Sequence, residues 1–210
     1  MEKFNCGWEF MMEGAVDWQP VTLPHDWLIK DARNLYKDGV GCYRKKFLPD
    51  EFKNGERIFL RFDGVYQDSC VYVNGAKAGE WKNGYTAFSH EITEFLKAGE
   101  NEILMKVNYE SPNTRWYSGA GIYRDCWLVR KNAAHFKQDG IYVSTRKSDG
   151  GTWRVEIDAE VESAGQEYEV RHSIGTEVEN PRLWDIESPE LYELTSELTV
   201  SGQVVDTVVT

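Results

Sequence analysis

The sequence has no run of apolar residues approaching the roughly 18 that a membrane-spanning helix needs. It also shows no secretory signal, because MEKFNCGWEF lacks a cationic start, an apolar core and a small-residue cleavage site. From these absences we expect no membrane partner and a cytoplasmic location.

Cysteine is scarce, and the four cysteines form no CxxC pair and no regular framework. This pattern favours reduced, mostly buried thiols over a disulfide scaffold or a zinc site. No histidine has metal-ligand spacing and no glycine-rich phosphate loop is present, so we expect neither a metal nor a cofactor. The cysteines are Cys6, Cys42, Cys70 and Cys126.

Basic residues are in the minority, with 24 Lys and Arg against 35 Asp and Glu and a net charge of −11. No Lys/Arg patch interrupts the acidic chain, so the approach of a phosphate backbone or an anionic lipid is repelled. Nucleic acid is therefore excluded as a partner, whereas neutral ligands such as sugars are compatible with the charge.

Helix signals are few, since only His90–Asn101 could hold a single turn. Short strands joined by Gly, Asn and Asp turns predominate, and they predict an all-β fold class built from β-sandwiches. The strands that we predict are Arg57–Phe62, Cys70–Gly75 with a partner near Gly79–Trp81, Asn101–Tyr109, Cys126–Arg130, Gly140–Arg146, Trp153–Val161, Tyr168–Ile174, Leu191–Val200 and Gln203–Thr210.

A domain boundary is predicted near Lys131–Gln138, where KNAAHFKQ is typical of a crossover. The aromatic-rich part before it gives a first domain over residues 1–133. Residues 134–210 give a second domain with more Glu/Val alternation. At about 75 residues it is short or incomplete, because an immunoglobulin-type sandwich needs about 100.

His25 and Asp26 follow Pro24 in VTLPHDW. A carboxylate can fix the tautomer of an imidazole, so the pair could orient a catalytic group. No Ser or Cys nucleophile occurs in a recognisable elbow, however. We favour structural roles, with Asp26 capping a turn and His25 hydrogen-bonded locally.

The stretch DGVYQDSCVYVNG contains two turn signals, Asp63-Gly64 and Asn74-Gly75. The alternative is a catalytic carboxylate pair of Asp63 and Asp68. Glycoside hydrolysis needs two carboxyls about 5–5.5 Å apart for retention, or about 6.5–9.5 Å apart for inversion. Nothing in the sequence shows either acid facing the other across a cleft, so we predict structural roles for Asp63 and Asn74.

The stretch RWYSGAGIYRDCW packs aromatic, arginine and small residues together. Trp116 and Tyr117 could stack on pyranose faces, and Gly119–Gly121 would let the backbone pass close to a bulky group. For Arg115, Trp116 and Ser118, a role in a substrate pocket and a structural role stay equally open.

The second half of this stretch is predicted to be structural. Tyr123 and Trp127 would point into the sandwich, and Arg124 would pair with an internal aspartate. Asp125 belongs to the same structural motif.

These motifs resemble the N-terminal part of a family-two glycoside hydrolase, the family of β-galactosidases, β-glucuronidases and β-mannosidases. The resemblance spans nearly the whole chain, and its motifs occur in the family's order. They are LPHDW (Leu23–Trp27), GCYRKKF (Gly41–Phe47), FDGVYQDSCVYVNG (Phe62–Gly75), GYTAFSHEIT (Gly84–Thr93), GEN (Gly99–Asn101), RWYSGAGIYRDCWL (Arg115–Leu128), VRHSI (Val170–Ile174) and ENPRLWDIESPELYEL (Glu179–Leu194).

The resemblance implies a jelly-roll, galactose-binding-like β-sandwich followed by a small immunoglobulin-like β-sandwich. In the family a TIM barrel follows and carries both catalytic glutamates, so no catalytic residue can be assigned here. Loops of the first domain lean over the mouth of that barrel, which makes Arg115, Trp116 and Ser118 the candidates for a contribution to the substrate pocket.

One departure from the family pattern lies in the second domain. Between VRHSI and ENPRLW the family has a strand-turn-strand passage, but here only Gly175–Val178 intervenes. A natural deletion and a segment omitted from this sequence both explain the difference, and either affects the edge of the second sandwich.

Two functions follow from the resemblance. The first is a non-catalytic region of a β-galactosidase-like enzyme that acts on terminal β-glycosidic bonds, with β-glucuronidase or β-mannosidase as alternative parent activities. This region would be inactive alone, would brace the enzyme's own C-terminal TIM barrel and could contribute to homo-oligomer contacts. The second is an autonomous carbohydrate-binding or adhesion module, which would bind sugar through Trp81, Trp116 or Tyr117.

Overall fold

The computed structural model describes residues 1–30, 32–49, 55–113, 116 and 119–210. The chain divides into two compact units, Met1–Arg130 and Lys131–Thr210. Antiparallel strands make up both units, and the only helical segments in the described residues are three short 3₁₀ turns. The predicted all-β fold class is confirmed.

The described residues of the first unit form ten strands in two sheets. They are β1 (Glu2–Lys3), β2 (Trp8–Met12), β3 (Gln19–Val21), β4 (Gly39–Phe47), β5 (Arg57–Phe62), β6 (Ser69–Val73), β7 (Ala76–Trp81), β8 (Phe88–Glu91), β9 (Asn101–Tyr109) and β10 (Cys126–Lys131). One sheet has the strand order β3-β2-β4-β9-β6-β7, and the other has the order β1-β10-β5-β8. The 3₁₀ turns of this unit are Ala32–Asn34 and Thr93–Phe95.

The core of the first unit follows from alternation along its strands. Ile103, Met105 and Val107 of β9 are fully buried, as the sequence predicted. Leu60 and Phe62 of β5, which belongs to the other sheet, are fully buried in the same hydrophobic cluster. Because side chains on one face of a strand recur every second residue, each sheet contributes one apolar face to a common core.

The hairpin between β6 and β7 has the predicted two-residue turn. Val73 pairs with Ala76, and Asn74 and Gly75 between them have φ angles of 50° and 85°. Two positive φ values match a type I′ turn, whose twist suits a two-residue hairpin. The Asn-Gly signal therefore identified this hairpin correctly.

The second unit contains six strands in two three-stranded sheets. They are β11 (His135–Lys147), β12 (Thr152–Glu162), β13 (Tyr168–His172), β14 (Glu177–Glu179), β15 (Thr195–Val200) and β16 (Gln203–Val209). The sheet orders are β11-β12-β14 and β13-β15-β16. Phe136 and Leu198, one from each sheet, are fully buried in the core between them.

Several local predictions were wrong. KNAAHFKQ is only partly a crossover, because β11 already begins at His135. The predicted strand Leu191–Val200 starts only at Thr195, since Leu191 and Tyr192 are exposed in an irregular segment.

Strand β4 was not predicted, because glycines weaken a strand signal. Gly41 has a packing reason instead: a Cβ at this position would lie 2.4 Å from the ring of Trp27.

The predicted tight turn at Asp63-Gly64 is also absent. The amide of Asp63 donates to the carbonyl of Asp125, and the amide of Arg124 donates to the carbonyl of Gly64. A Cβ on Gly64 would lie 2.9 Å from both Arg124 and Tyr123 side chains. Gly64 therefore serves close packing between two paired segments rather than a turn.

Candidate functional site

The predicted pocket residues stand at the start of the Arg115–Trp127 stretch. Arg115, Tyr117 and Ser118 lie outside the described residues, so these predictions stay predictions. Trp116 is described, and its side chain is 87% exposed. That exposure fits a residue that contacts something beyond its own unit.

The middle of the stretch is clamped to the first unit by backbone hydrogen bonds. Gly121 and Tyr66 exchange two N–H···O bonds of 2.8 and 2.9 Å, and the amide of His25 donates to the carbonyl of Ile122. Gly121 has a φ of 131°, and a Cβ there would lie 2.4 Å from the Tyr43 hydroxyl oxygen. The expected close approach of backbone to a bulky group therefore occurs at Gly121, and the group is the Tyr43 side chain.

His25 is a buried histidine whose ring nitrogen Nδ1 lies 2.9 Å from the hydroxyl oxygen of Tyr43. The ring also packs against Phe10, with centroids 4.8 Å apart. Burial and the nearby positive charge of Lys30 lower the pKa of His25 to about 4, although Asp26 opposes the shift. His25 is consequently neutral at pH 7 and is part of the packing between the 23–27 segment and β4.

Asp26 caps a turn within its own segment. Its Oδ1 accepts hydrogen bonds from the amides of Leu28, at 2.8 Å, and Ile29, at 3.2 Å. This arrangement is the side-chain-to-backbone turn that aspartate favours. Through Oδ1 the carboxylate therefore fixes the local backbone.

Asp63 connects β5 to β10. Its Oδ1 accepts from Nε of Arg61 at 3.1 Å, and its Oδ2 accepts from Nε1 of Trp127 at 2.7 Å. One carboxylate thus satisfies both a cation and an indole N–H, which fixes Trp127 at the edge of the core.

Asp125 is held in a similar way by residues at the N-terminus of the chain. The side-chain amide of Asn5 donates to Asp125 Oδ1 at 2.6 Å, and Lys3 Nζ lies 3.0 Å from its Oδ2. These two bonds, in that order of importance, lower the pKa of Asp125. Asp125 therefore carries a negative charge at neutral pH.

Three predicted motif residues, Asp63, Arg124 and Asp125, line one open cavity of about 520 Å³ with Pro24 and Tyr123. The cavity is polar, but each of its carboxylates is already bonded to a cation. Retaining or inverting glycoside hydrolysis needs one carboxylic acid that keeps its proton, together with a second carboxyl. Both carboxylates of the cavity take part in ion pairs and hydrogen bonds within the first unit.

Arg124 does not pair with an aspartate, so this prediction was wrong. Its guanidinium lies 5.4 Å from the centroid of the Tyr123 ring, and within the described part of the chain no carboxylate lies at ion-pair distance from it. The two nearest candidates are committed, Asp63 to Arg61 and Asp125 to Lys3. Tyr123 in turn donates its hydroxyl to a backbone carbonyl at 2.8 Å.

Asn74 belongs to a separate network at the β6–β7 hairpin. Its side-chain amide donates to the carbonyl of Phe95 at 2.8 Å and to Oδ1 of Asn101 at 2.7 Å. Its side-chain oxygen Oδ1 accepts a hydrogen bond from the backbone amide of Glu102 at 3.1 Å. Asn74 therefore fastens the turn to the start of β9 and does not reach the cavity.

Sequence reasoning missed Tyr43 and Arg61 as members of these clusters. Tyr43 is fully buried and burial raises the pKa of its hydroxyl far above the usual value. Both residues lie on strands; the partner of Tyr43, His25, is 18 residues away, whereas the partner of Arg61, Asp63, is only two residues away. The alternation of β5, which places Arg61 between the buried Leu60 and Phe62, is the one local signal that was present.

Among the residues that the structure describes, no group of three or more His, Cys, Asp or Glu side chains could hold a metal ion. The same residues include no helix with the length and apolar character to span a membrane.

Comparison with known proteins gives two family matches that together cover the chain. The model described as "Glycosyl hydrolases family 2, sugar binding domain" matches residues 2–143. A second model, "Glycosyl hydrolases family 2", matches residues 129–210.

Relatives in sequence carry two activities in their names. A putative β-glucuronidase of Formosa agariphila is 30% identical and aligns with 97% of this chain and 24% of its own length. A β-galactosidase of Bacteroides ovatus is 32% identical over 97% of this chain and 30% of its length. The chain thus spans about a quarter to a third of the length of these relatives.

The alignments also reveal residues without a counterpart in this chain. The alignment with the F. agariphila protein is 246 positions long. It includes 97% of the 210 residues of this chain, which is about 204 residues. About 40 positions therefore hold residues of the relative that this chain lacks.

Solved structures agree with the sequence relatives. A putative β-galactosidase from Bacteroides fragilis superposes with a TM-score of 0.84 at 27% identity, covering 99% of this chain and 40% of that one. With both units matched in order by family models and by a solved structure, the chain belongs to glycosyl hydrolase family 2, where it corresponds to the N-terminal region.

Proposed function

We propose that this chain is a non-catalytic N-terminal region of a β-galactosidase-like glycoside hydrolase, which braces the catalytic barrel and shapes its substrate pocket. The carrying observation is the state of the acids in the polar cavity of the first unit. Asp63 accepts hydrogen bonds from Arg61 and Trp127, and Asp125 is bonded to Asn5 and Lys3, so both carboxylates hold segments of the first unit together.

The segment Leu183–Tyr192 supports the bracing role. It contains five large apolar side chains that are each more than half exposed, in a stretch without regular strands. Exposed apolar groups of this density mark surfaces that another protein surface covers. We assign that covering surface to the catalytic barrel of the same enzyme. The five residues are Leu183, Trp184, Ile186, Leu191 and Tyr192.

The exposed Trp116 supports the pocket-shaping role, because an indole face covers the apolar C–H surface of a sugar ring. The alternative function, an autonomous carbohydrate-binding module, has less support. Trp81 is only 36% exposed, its ring stacks on Phe88 with centroids 5.6 Å apart, and its Nε1 donates to Thr86. One face of this ring is therefore already used for packing.

The test is an activity and binding assay on the 210-residue chain with aryl β-galactosides and aryl β-glucuronides. We expect no hydrolysis above that of buffer, while the full-length B. ovatus β-galactosidase serves as the active control. We also expect no sugar binding at millimolar ligand in a calorimetric titration. Hydrolysis by the purified chain would refute the non-catalytic role, and binding would favour the carbohydrate-binding module.

The parent activity needs the longer protein that carries this chain. In that protein, Trp116→Ala should raise KM or lower kcat for the preferred glycoside while the thermal midpoint stays unchanged. Tyr142→Ala is the control, because Tyr142 is an aromatic side chain that is 66% exposed, lies in the second unit and is outside the Leu183–Tyr192 segment. Equal effects of both substitutions on kinetics would contradict a pocket role for Trp116.

A further inference from the structure

One edge strand of the second unit is β13, because the sheet order β13-β15-β16 leaves it with a single neighbour among the described strands. Only Gly175 and Thr176 separate Ile174 from β14, which pairs in the other sheet, so the segment that follows β13 adds no strand to this edge. A strand edge with unpaired N–H and C=O groups is a template for pairing with another strand.

The hydrogen-bond pattern shows which groups point outward from this edge. The amide of Ser173 donates to the carbonyl of Thr195, toward β15. Backbone groups alternate in direction along an antiparallel strand, so Arg171 and Glu169 also face β15. The N–H and C=O groups of His172, Val170 and Tyr168 consequently face the free edge.

The side chains of β13 divide between its two faces. Val170 packs on the core of the unit, and His172 contacts Ser196 through a hydrogen bond of 2.9 Å. Glu169 and Arg171 lie on the solvent face, with their side chains 69% and 74% exposed, and Arg171 Nη2 lies 3.3 Å from Glu169 Oε2 within the strand. An ion pair as exposed as this contributes little to stability, so both side chains can exchange it for a partner on another strand. The strand therefore carries one negative and one positive side chain, symmetrically placed around Val170.

We propose that β13 pairs antiparallel with β13 of a second copy of this chain, in a two-fold symmetric register centred on Val170. In this register Val170 faces Val170 of the other copy, and Tyr168 faces His172, so the outward groups form up to about six hydrogen bonds. Glu169 then lies opposite Arg171 twice, in non-hydrogen-bonded pairs, whose side chains approach most closely.

Charge complementarity selects this register over its neighbours. A two-fold axis at Glu169 would place two glutamates opposite each other, and an axis at Arg171 would place two arginines opposite each other. Like charges directly opposite are destabilising, whereas opposite charges stabilise a strand pair. The sequence YEVRH is thus self-complementary only when it is centred on its valine. An isologous contact of this kind closes after two copies.

The edge has only some of the usual protections against pairing. β13 contains no proline, and its pairing with β15 shows no register shift that would mark a bulge. Its protection consists of its short length and its two exposed charges, and the proposed register turns these charges into attractive pairs. The proposal is independent of the function proposed above, since it rests on the second unit alone.

The test is sedimentation equilibrium of the full 210-residue chain over a wide concentration range at near-physiological ionic strength. At this ionic strength the Debye length is about 8 Å. The long-range repulsion between two acidic chains is therefore screened more strongly than the attraction between Glu169 and Arg171 in direct contact. We expect a concentration-dependent monomer–dimer equilibrium. A chain that stays monomeric at millimolar concentration would overturn the proposal. That result would also be obtained if the edge of β13 paired only with a strand of a different protein, and the proposal would then be wrong as well.

Charge-swap variants identify the interface. Glu169→Arg and Arg171→Glu should each weaken the dimer at least about tenfold, because both cross-strand pairs change from attraction to repulsion. The double variant restores opposite charges, so its dissociation constant should return to within about threefold of the original. Glu156→Arg, on the exposed face of β12, makes the same change in net charge as Glu169→Arg and should leave the dimer unaffected.

A second substitution tests the backbone pairing. Val170→Pro removes an N–H that faces the free edge and leaves the ladder to β15 intact, a place where proline is tolerated. We expect a folded monomer by circular dichroism and sedimentation. A dimer that survives Val170→Pro, or a double charge swap that remains as weak as the single variants, would show that the chains associate elsewhere.

Discussion

Acidification should destabilise the first unit through His25. The folded chain holds the pKa of this histidine at about 4, mainly because the ring is buried, whereas an unfolded histidine titrates near pH 6.5. Between these two values the unfolded state binds a proton that the folded state does not bind. The contribution of His25 to the free energy of unfolding is therefore fully present above about pH 6.5, and it is lost as the pH falls toward about 4.

The size of this effect follows from the shift. A difference of about 2.5 pH units corresponds to about 3 kcal/mol, which is an upper value because the folded state can relax when it binds the proton. Carboxylates such as Asp125 add their own losses at low pH, since their pKa is lowered in the folded state. The contribution of His25 must therefore be measured as a difference between variants.

The assay is urea unfolding of the wild-type chain and of His25→Asn, at steps from pH 7.5 to about pH 4. Asparagine cannot titrate in this range and retains a polar group near the Tyr43 hydroxyl. The wild type should lose about 2–3 kcal/mol more than His25→Asn over the window. His172→Asn, in the second unit, is the control and should follow the wild type. Parallel curves for wild type and His25→Asn would refute the assignment of a buried neutral histidine.

Three further substitutions test the fold around the motifs. Gly121→Ala should cost at least about 2 kcal/mol, because its φ is 131° and the new Cβ would lie 2.4 Å from the Tyr43 hydroxyl; a thermal midpoint equal to that of the wild type would contradict the close approach. Asn74→Ala removes three hydrogen bonds at the hairpin and should cost about 1–3 kcal/mol in urea unfolding, a loss that Asn74→Asp should only partly reproduce. Met105→Ala leaves a cavity in the fully buried core and should cost about 2–5 kcal/mol; a cost below about 1 kcal/mol would mean that the two sheets do not enclose this side chain.

Strands with strict alternation were predictable from the sequence, and glycine-rich strands were not. β5 and β9 have the predicted bounds because each alternates apolar and polar residues, which only a half-buried strand requires. β4 carries two glycines and three basic residues, so no local pattern favours it. β4 is held by its ladders to β2 and β9, and its Gly41 leaves room for the Trp27 ring, so the reasons for this strand lie in contacts with other segments.

The local turn roles of the motif residues could be predicted from the sequence, but their partners from other strands could not. Turn chemistry identified Asp26 as a cap, since aspartate accepts bonds from the amides that follow it. The bond from Trp127 to Asp63 could not be predicted in the same way, because the two residues are 64 positions apart and the pairing depends on strand order. The error at Arg124 has a related origin, since Asp125 is paired with Lys3, which only the sheet topology brings close to it.

The residues by which the family is recognised need not be the residues that determine which glycoside is bound. His25, Gly121, Asp63 and Asp125 all join segments of one β-sandwich through buried contacts, hydrogen bonds or ion pairs. Replacing them would alter the packing of the first unit, so their presence reports a fold and carries no information about a sugar. Relatives named as β-galactosidases and as β-glucuronidases align with this chain at similar identity, which agrees with that reasoning. We infer that residues other than these four select the glycoside, and that exposed positions such as Trp116 are what this region contributes to that selection.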